Sequence, residues 1–417
     1  MEAQRSRQIV IAGAGIAGLT AAIAFAKNGF SVQLYEQASK FEDAGSGIQL
    51  SPNATRVLAH LGVLDNLLTA SVEPRAVVVR EARRLRKLAE VPLGGKAEDR
   101  WGAPYLVVHR ADLQTALLAR AKREPDIRLV TGARLADAAF HARGVTVSLD
   151  VAGDVKEAAC LLLIGADGVG STVRNLGTRG AAPRYSGHAA WRSTVRRDSD
   201  MGEALATVMP ADCVTVFAHR RFHLVGYPIR GGTAINLVVV VNSRSEEARP
   251  GDRGDPAILA RAMRGTARPL AGLAHGCEPW TLWPIREVPP DHPWTGGAGV
   301  ALIGDAAHAL TPFAAQGAAM AIEDAIILAN LVAATPDDLT GTLARYEAMR
   351  RPRIQRVEAR GRFNHFAWHA WGPMALARNI VLRARSGRQL AAELDWLYGF
   401  DATTAPAPEK KKKRGES

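Results

Sequence analysis

The sequence predicts an α/β protein: a nucleotide-binding domain built on a parallel sheet, interleaved with a β-rich domain and followed by C-terminal helices. Three observations carry this. The N-terminus reads as strand (8–12), glycine turn, helix (15–28) and second strand (31–36), a βαβ unit, which requires a parallel sheet. From about 185 to 300 the texture becomes β-rich, with apolar runs at 214–217, 222–229 and 233–241, and Arg230-Gly231-Gly232 supplies a hairpin turn between the last two. From 343 to 397 the pattern is helical.

The remaining elements follow in order. A helix is expected at 53–61 behind Ala44-Gly45-Ser46-Gly47, exposed strands at 72–103, and a helix at 111–122 behind His109-Arg110. Strands follow at 127–130, 145–149 and 160–166, then a strand at 299–303 that feeds Gly304-Asp305 and an Ala-rich helix at 317–333. The tail from 401 to 417 is rich in Pro and Lys and too polar to pack, so disorder is expected there.

Composition narrows the class. The 417 residues are 47% hydrophobic and 23% charged, enough for real cores. The net charge is +12, but five positive and two negative charges fall in residues 409–417, and elsewhere the arginines are dispersed without interleaved aromatics. A solvated surface explains them better than nucleic-acid binding. Cys160, Cys213 and Cys277 lie far apart with no CxxC spacing, which excludes a disulfide scaffold and a thiolate zinc site, and no metal is expected. A reducing cytoplasm fits. The uncharged run 9–26 is only marginally long enough for a bilayer, and its three glycines suit a buried strand–turn–helix; no other segment is expected to reach membrane length.

Gly13-x-Gly15-x-x-Gly18 sits between that strand and helix. The first glycine permits a tight turn, the second lets backbone approach a pyrophosphate, and the third allows close helix–strand packing. The helix N-terminus offers free N–H groups and its positive end to the phosphates. Glu36, at the end of the second strand, can accept from ribose hydroxyls, favouring an unphosphorylated ribose such as that of FAD or NAD. Further on, Asp167-Gly168-x-x-Ser171-x-x-Arg174 and Gly304-Asp305-Ala306-Ala307-His308 each follow an apolar strand, the second leading to Pro312 and Gln316-Gly317-Ala318. A helix starting at Gly317 presents its positive end to an electron-rich ring.

Taken together these motifs resemble the single-component, class A flavoprotein aromatic hydroxylases, over essentially the whole chain before the tail and most nearly the salicylate and 3-hydroxybenzoate branch. The resemblance implies a Rossmann-type FAD-binding domain of the para-hydroxybenzoate hydroxylase kind (1–72, 104–182 and 300–342), a β-sheet substrate domain (73–103 and 183–299) and a helical region (343–400). It implies FAD contacts from Gly13, Gly15, Ala17, Gly18, Glu36, Gly47, Arg110, Val130, Asp167, Asp305, Pro312, Gly317 and Ala318. A single GxGxxG implies that FAD stays bound while NADH or NADPH docks transiently. The activity implied is hydroxylation of a small phenolic aromatic acid with O2, by a monomer or homodimer independent of nucleic acid and membrane. A larger secondary metabolite is the alternative substrate.

For the hydroxylation site the candidates are His223 and Tyr227, four apart on one predicted strand and so on one face, with Cα atoms about 13 Å apart. A histidine can take a phenolic proton and a tyrosine can donate to the resulting oxygen. The same pair recurs in the hydroxybenzoate and hydroxynicotinate hydroxylases, and Gln49 and Pro312 join it as implied substrate contacts. Hydroxynicotinate enzymes carry a histidine where this chain has Gln49 and another where it reads Phe313-Ala314-Ala315-Gln316, which argues against a pyridine substrate. His308 reads as a loop-fixing residue. Trp191, Arg192 and Arg230 are candidate carboxylate anchors, and Trp368 and Trp371 are expected to pack a C-terminal helix.

Overall fold

The computed structural model describes residues 7–41, 46–142, 144–178, 180–243, 246–277, 279–289, 291–296 and 299–404. Ala44 and Gly45 of the glycine-rich stretch, and the tail from 405 onward, lie outside the described residues.

The apolar run 9–26 divides at its glycines into a buried strand, Gln8–Ala12, and a helix, Ile16–Lys27, rather than one continuous helix. The strand is the centre of a six-stranded sheet ordered 295–296, 300–302, 162–165, 8–12, 31–36, 127–131, parallel except for its first pair. A second, eight-stranded sheet is ordered 252–253, 281–287, 184–196, 234–242, 222–229, 213–219, 76–81, 87–92. Strands from 76–92 and from 184–287 therefore share one sheet although some 90 residues separate them in sequence. The expected hairpin is present: Phe222 pairs with Val241 and Ile229 with Ala234 across Arg230-Gly231-Gly232, all three at positive φ.

The helix Gly317–Ala334 packs on Ile16–Lys27 and on Pro52–His60, and the 31-residue helix Leu339–His369 packs on it in turn. At 18 residues Gly317–Ala334 is long and apolar enough to span a bilayer, so the expectation that no second segment reaches that length is corrected. Its residues are mostly inside the protein, where Met320, Ile322, Ile326 and Leu328 join the main core.

Three further expectations change. Short helices at Gly95–Trp101, Asp200–Ala206, Pro256–Ala262 and Arg268–Gly276 interrupt regions read as strand or loop. The tail begins later than expected, because Ala402 is buried and Asn330 donates to the Thr403 carbonyl. Trp371 does not pack its helix; it is 68% exposed, among exposed Met374, Leu376 and Ile380.

Candidate active site

In a parallel sheet every strand delivers its following loop to the same edge, and here that edge collects the chemistry-bearing motifs. Side by side along it come Gly304-Asp305, Asp167-Gly168, Gly13, Glu36 and Val130. The strands before Asp305 and up to Glu36 are three spacings apart, about 14 Å at roughly 4.8 Å each. Strand order reverses beside Gln8–Ala12, the position at which open α/β sheets bind ligands.

The glycines there have separate physical reasons. Gly13 has φ +97° and donates its N–H to the Tyr35 carbonyl; a Cβ on it would lie 2.5 Å from the Ala166 carbonyl oxygen. A Cβ on Gly18 would lie 1.8 Å from the Gly13 carbonyl oxygen, so only glycine lets helix and strand close. Gly15 meets nothing within 4 Å and caps Ile16–Lys27 with no side-chain acceptor and no acid in the first turn. Its end of the helix is an open cradle of N–H groups fit for phosphate.

Glu36 fixes the turn by accepting from Ala14 N–H at 2.8 Å and Ala38 N–H at 2.9 Å, which leaves lone pairs on both oxygens for ribose hydroxyls. Arg110 is exposed at the start of Arg110–Ala121, its N–H bonded to the Ser46 carbonyl beside Gly47. Asp167 has a local task that spacing did not show. It accepts from Ser171 Oγ at 2.5 Å and from the N–H groups of Thr172 and Val173, capping the helix Thr172–Gly177, and burial lifts its carboxyl above the ordinary value against those bonds. Arg174, fully buried, joins this loop to the next by donating to the carbonyls of Val169 and Ala306. Asp305 stays exposed. Ala17 and Ala321 close on Gly304, whose φ of +57° holds the turn.

Behind Asp305 lies a buried ionic cluster absent from the sequence reading. Asp324 accepts from Gly304 N–H at 2.9 Å, meets His308 Nε2 at 2.5 Å and Arg350 Nε at 2.6 Å. Burial alone would raise its carboxyl, but His308 and Arg350 outweigh this and hold it at about 2. Glu323 pairs with Arg350 and Arg353 and accepts from Asn53, which lies beside Ser51 and Gln316. Pro312, Gly317 and Ala318 are held on this frame: Pro312 opens a short turn, Ala315 takes φ +52°, and Gly317–Ala334 begins, among the described residues, with no side-chain cap on its N–H groups. The expected role of His308 as a loop-fixing residue is what the structure displays. The missed signal was two adjacent acids inside an otherwise apolar helix.

Facing this loop is one side of the larger sheet, where His223, Val225 and Tyr227 stand in a row beside Val240, Val238 and Asn236. A cavity of about 430 Å³ opens over Val225, walled by Gln49, Tyr105, Val214, Val216, Pro312, Phe313 and Trp368 and by Met374 and Val381 of the helix Gly372–Ala384. Its wall is chiefly apolar. His223 and Tyr227 are set back on either side of Val225 instead of forming the wall directly. The His223 ring is buried against Trp368, Phe313 and His369; burial, then His369, His365 and His188, hold it well below the ordinary imidazole value, so it is neutral at neutral pH. Tyr227 is buried under Gly47, where a Cβ would strike its ring at 2.5 Å, and burial raises its hydroxyl. Gln49 accepts from Tyr105 at 2.7 Å.

The three candidate anchors sit in different surroundings. Trp191 points into the opposite core, and Arg230 is exposed on the hairpin turn. Arg192 lies on the same sheet face as Tyr227, 4.9 Å over the Trp283 ring; burial lowers it to about 10, with Tyr227 opposing this and Arg110 adding to it. Among the described residues it has no acidic partner, and its Nε is buried without one, as is Asn236 Nδ2 beside Tyr227.

Residues 6–361 match the family model described as FAD binding domain. The 3-hydroxybenzoate 6-hydroxylase of Polaromonas naphthalenivorans (strain CJ2) is 32% identical over 393 residues, spanning 94% of this chain and 96% of that protein. The chain belongs to the FAD-dependent aromatic hydroxylases. A 3-amino-4-hydroxybenzoate 2-monooxygenase of Streptomyces cremeus is 34% identical over 95% of this chain and 96% of its own. The crystal structure of Klebsiella pneumoniae HpxO complexed with FAD and uric acid superimposes with a TM-score of 0.81 at 28% identity, covering 94% of this chain and 96% of that one. This hydroxylase is an FAD-dependent, NAD(P)H-consuming monooxygenase, and the open cradle at Gly15 together with the uncapped start of Gly317–Ala334 fits that cofactor at both ends.

Three histidines of this hydroxylase, buried His223 and half-buried His369 and His219, should make its stability depend on acid. Burial is the largest cause that lowers His223 well below its ordinary value, His369 to about 3 and His219 to about 4. Below about pH 6.5 the unfolded chain therefore takes up protons that the folded one refuses, until the folded values are reached. Stability should fall as pH drops from 7 towards 4, and the fall should be shallower in H369Q. Thermal melts at pH 7, 6, 5 and 4 check both; equal slopes for the two proteins would contradict the assignment.

Proposed function

We propose that this flavoprotein hydroxylates a small phenolic aromatic acid of the hydroxybenzoate type. The single observation that carries the reading is the unpaired Arg192 with the idle Asn236 Nδ2, a cationic, hydrogen-bonding group that lies with Tyr227 on the sheet face of Val225, set back from the cavity over that valine. Leaving a buried cation and two donors unpaired is costly unless a ligand completes them, and a carboxylate is the complementary group. The hydroxybenzoate names of the relatives support the same class.

When bound, FAD supplies the redox chemistry, using electrons from NADH or NADPH and O2 to deliver one oxygen atom to the ring. The chain's own residues do the rest. Arg192 and Asn236 hold the carboxylate, and the valines at 214, 216 and 225 with Phe313 hold the ring and exclude water. Neutral His223 removes the phenolic proton, which enriches the carbon to be attacked, and Tyr227 donates to polar substrate oxygen. We also propose a reducing compartment, in keeping with three buried free cysteines.

The test is a panel of aromatic acids scored for acceleration of NADH or NADPH oxidation together with hydroxylated product; no acid giving product would overturn the reading. R192Q should raise the KM for a carboxylate substrate by about 10-fold or more, as expected when a charge-assisted pair is lost, while a carboxamide analogue should bind both proteins alike. Equal KM values for the acid in both proteins would remove Arg192 from the site.

A further inference from the structure

We infer that His369 takes the phenolic proton on from His223 and passes it to solvent, so that the two form a proton relay. The inference rests on the assignment of His223 as the base. Its observation is separate: His223 Nδ1 and His369 Nε2 lie 3.2 Å apart, two ring nitrogens at hydrogen-bonding distance. Among the described residues His369 is the sole hydrogen-bonding partner of the His223 ring.

The need for a second group follows from burial. His223 is only 2% exposed, enclosed by Phe313 and Trp368, so a proton it accepts has no direct way to water. His369 is the last residue of Leu339–His369 and is only half-buried. Its position is fixed by the helix end, where Arg378 of the next helix donates to the carbonyls of Ala367 and Trp368.

The contact also sets the tautomers. If Nδ1 of His223 carries the proton and donates to His369 Nε2, then His223 Nε2 keeps its lone pair for the substrate. In the forward step the substrate O–H bond breaks and its proton goes to His223 Nε2. The Nδ1 proton of His223 moves to His369 Nε2, and the Nδ1 proton of His369 leaves to water. Run backwards, the same path reprotonates the phenolate oxygen of the product.

The titratable groups facing the pair are three more histidines. His188 comes from strand 184–196, with Nδ1 on the Ser186 carbonyl; His365 lies one turn before His369; His219 comes from strand 213–219. Among the described residues no carboxylate pairs with any of them, so nothing traps a positive charge on the relay.

Two measurements test this. In the first, nitrogen NMR of the 15N-histidine-labelled protein should find His223 as the Nδ1–H tautomer, and that preference should be lost in H369F. An Nε2–H tautomer in the parent protein would overturn the relay. In the second, the FAD-loaded enzyme is mixed with 3-hydroxybenzoate and the phenolate absorbance is followed. H369F and H369Q should slow phenolate formation at least about 10-fold with Kd within a factor of two, and added imidazole should restore the rate. An unchanged rate in both variants would sink the relay. H223Q separates the two levels: if H223Q is slow and the H369 variants are not, only the relay fails, whereas an unchanged rate in H223Q removes the base assignment itself.

Discussion

Replacing His223 by alanine should lower coupled hydroxylation by about 10²–10⁴-fold, the usual contribution of a positioned general base, while NAD(P)H oxidation falls much less. The asymmetry follows from where His223 sits. It is on the substrate sheet, against Phe313 and Trp368, and touches no element of the glycine turn that grips the nucleotide. The glycine turn should still grip the nucleotide, and the electrons should be diverted to H2O2. H223Q, closer in volume, should show the same loss without opening a void. Product, peroxide and NAD(P)H consumed are measured together; full coupling in both variants would contradict the assignment.

Arg350→Met should cost about 3–5 kcal/mol of stability, because removing one partner of a buried ion cluster leaves the others uncompensated. Arg350 is fully buried and bonds Asp324 at 2.6 Å and Glu323 at 2.7 Å. Glu323 keeps Arg353 and Asn53, but Asp324 is left with His308 and the Gly304 N–H. Since Gly304 and His308 shape the loop of Asp305, the same change should weaken FAD binding as well as folding. Urea unfolding of the apoprotein and FAD titration read the two effects. A variant as stable as its parent with unaltered FAD affinity would show that the cluster is not what holds the loop.

How much of this was legible in the sequence depends on whether the signal was local. In the nucleotide half the glycines were legible because the local chain demands them, a positive φ at Gly13 and the close Gly13 carbonyl at Gly18. Glu36 was legible because a strand must end where its acid meets the turn. The substrate half was not. His223 and Tyr227 could be placed on one face by period, but what stands opposite them depends on Trp368 and His369, some 140 residues later. Arg192 could not be told from Trp191 or Arg230 until the sheet showed which face each occupies. The Glu323–Asp324 cluster was hidden because its partners come from three separate segments, although two acids in an apolar helix were a signal that could have been read. Trp371 misled because spacing three residues from Trp368 suggests a shared face, whereas the helix Leu339–His369 ends between them.

The central claim is that one FAD lies along the C-terminal edge of the parallel sheet and an aromatic acid lies between it and Arg192. A crystal structure of the protein with FAD and 3-hydroxybenzoate tests it most directly. The account predicts pyrophosphate on the N–H groups after Gly15, a ribose on Glu36, the flavin ring against residues 312–318, and the carboxylate paired with Arg192. A flavin bound away from the Gly304-Asp305 loop, or a carboxylate on the far side of the cavity from Arg192, would contradict it.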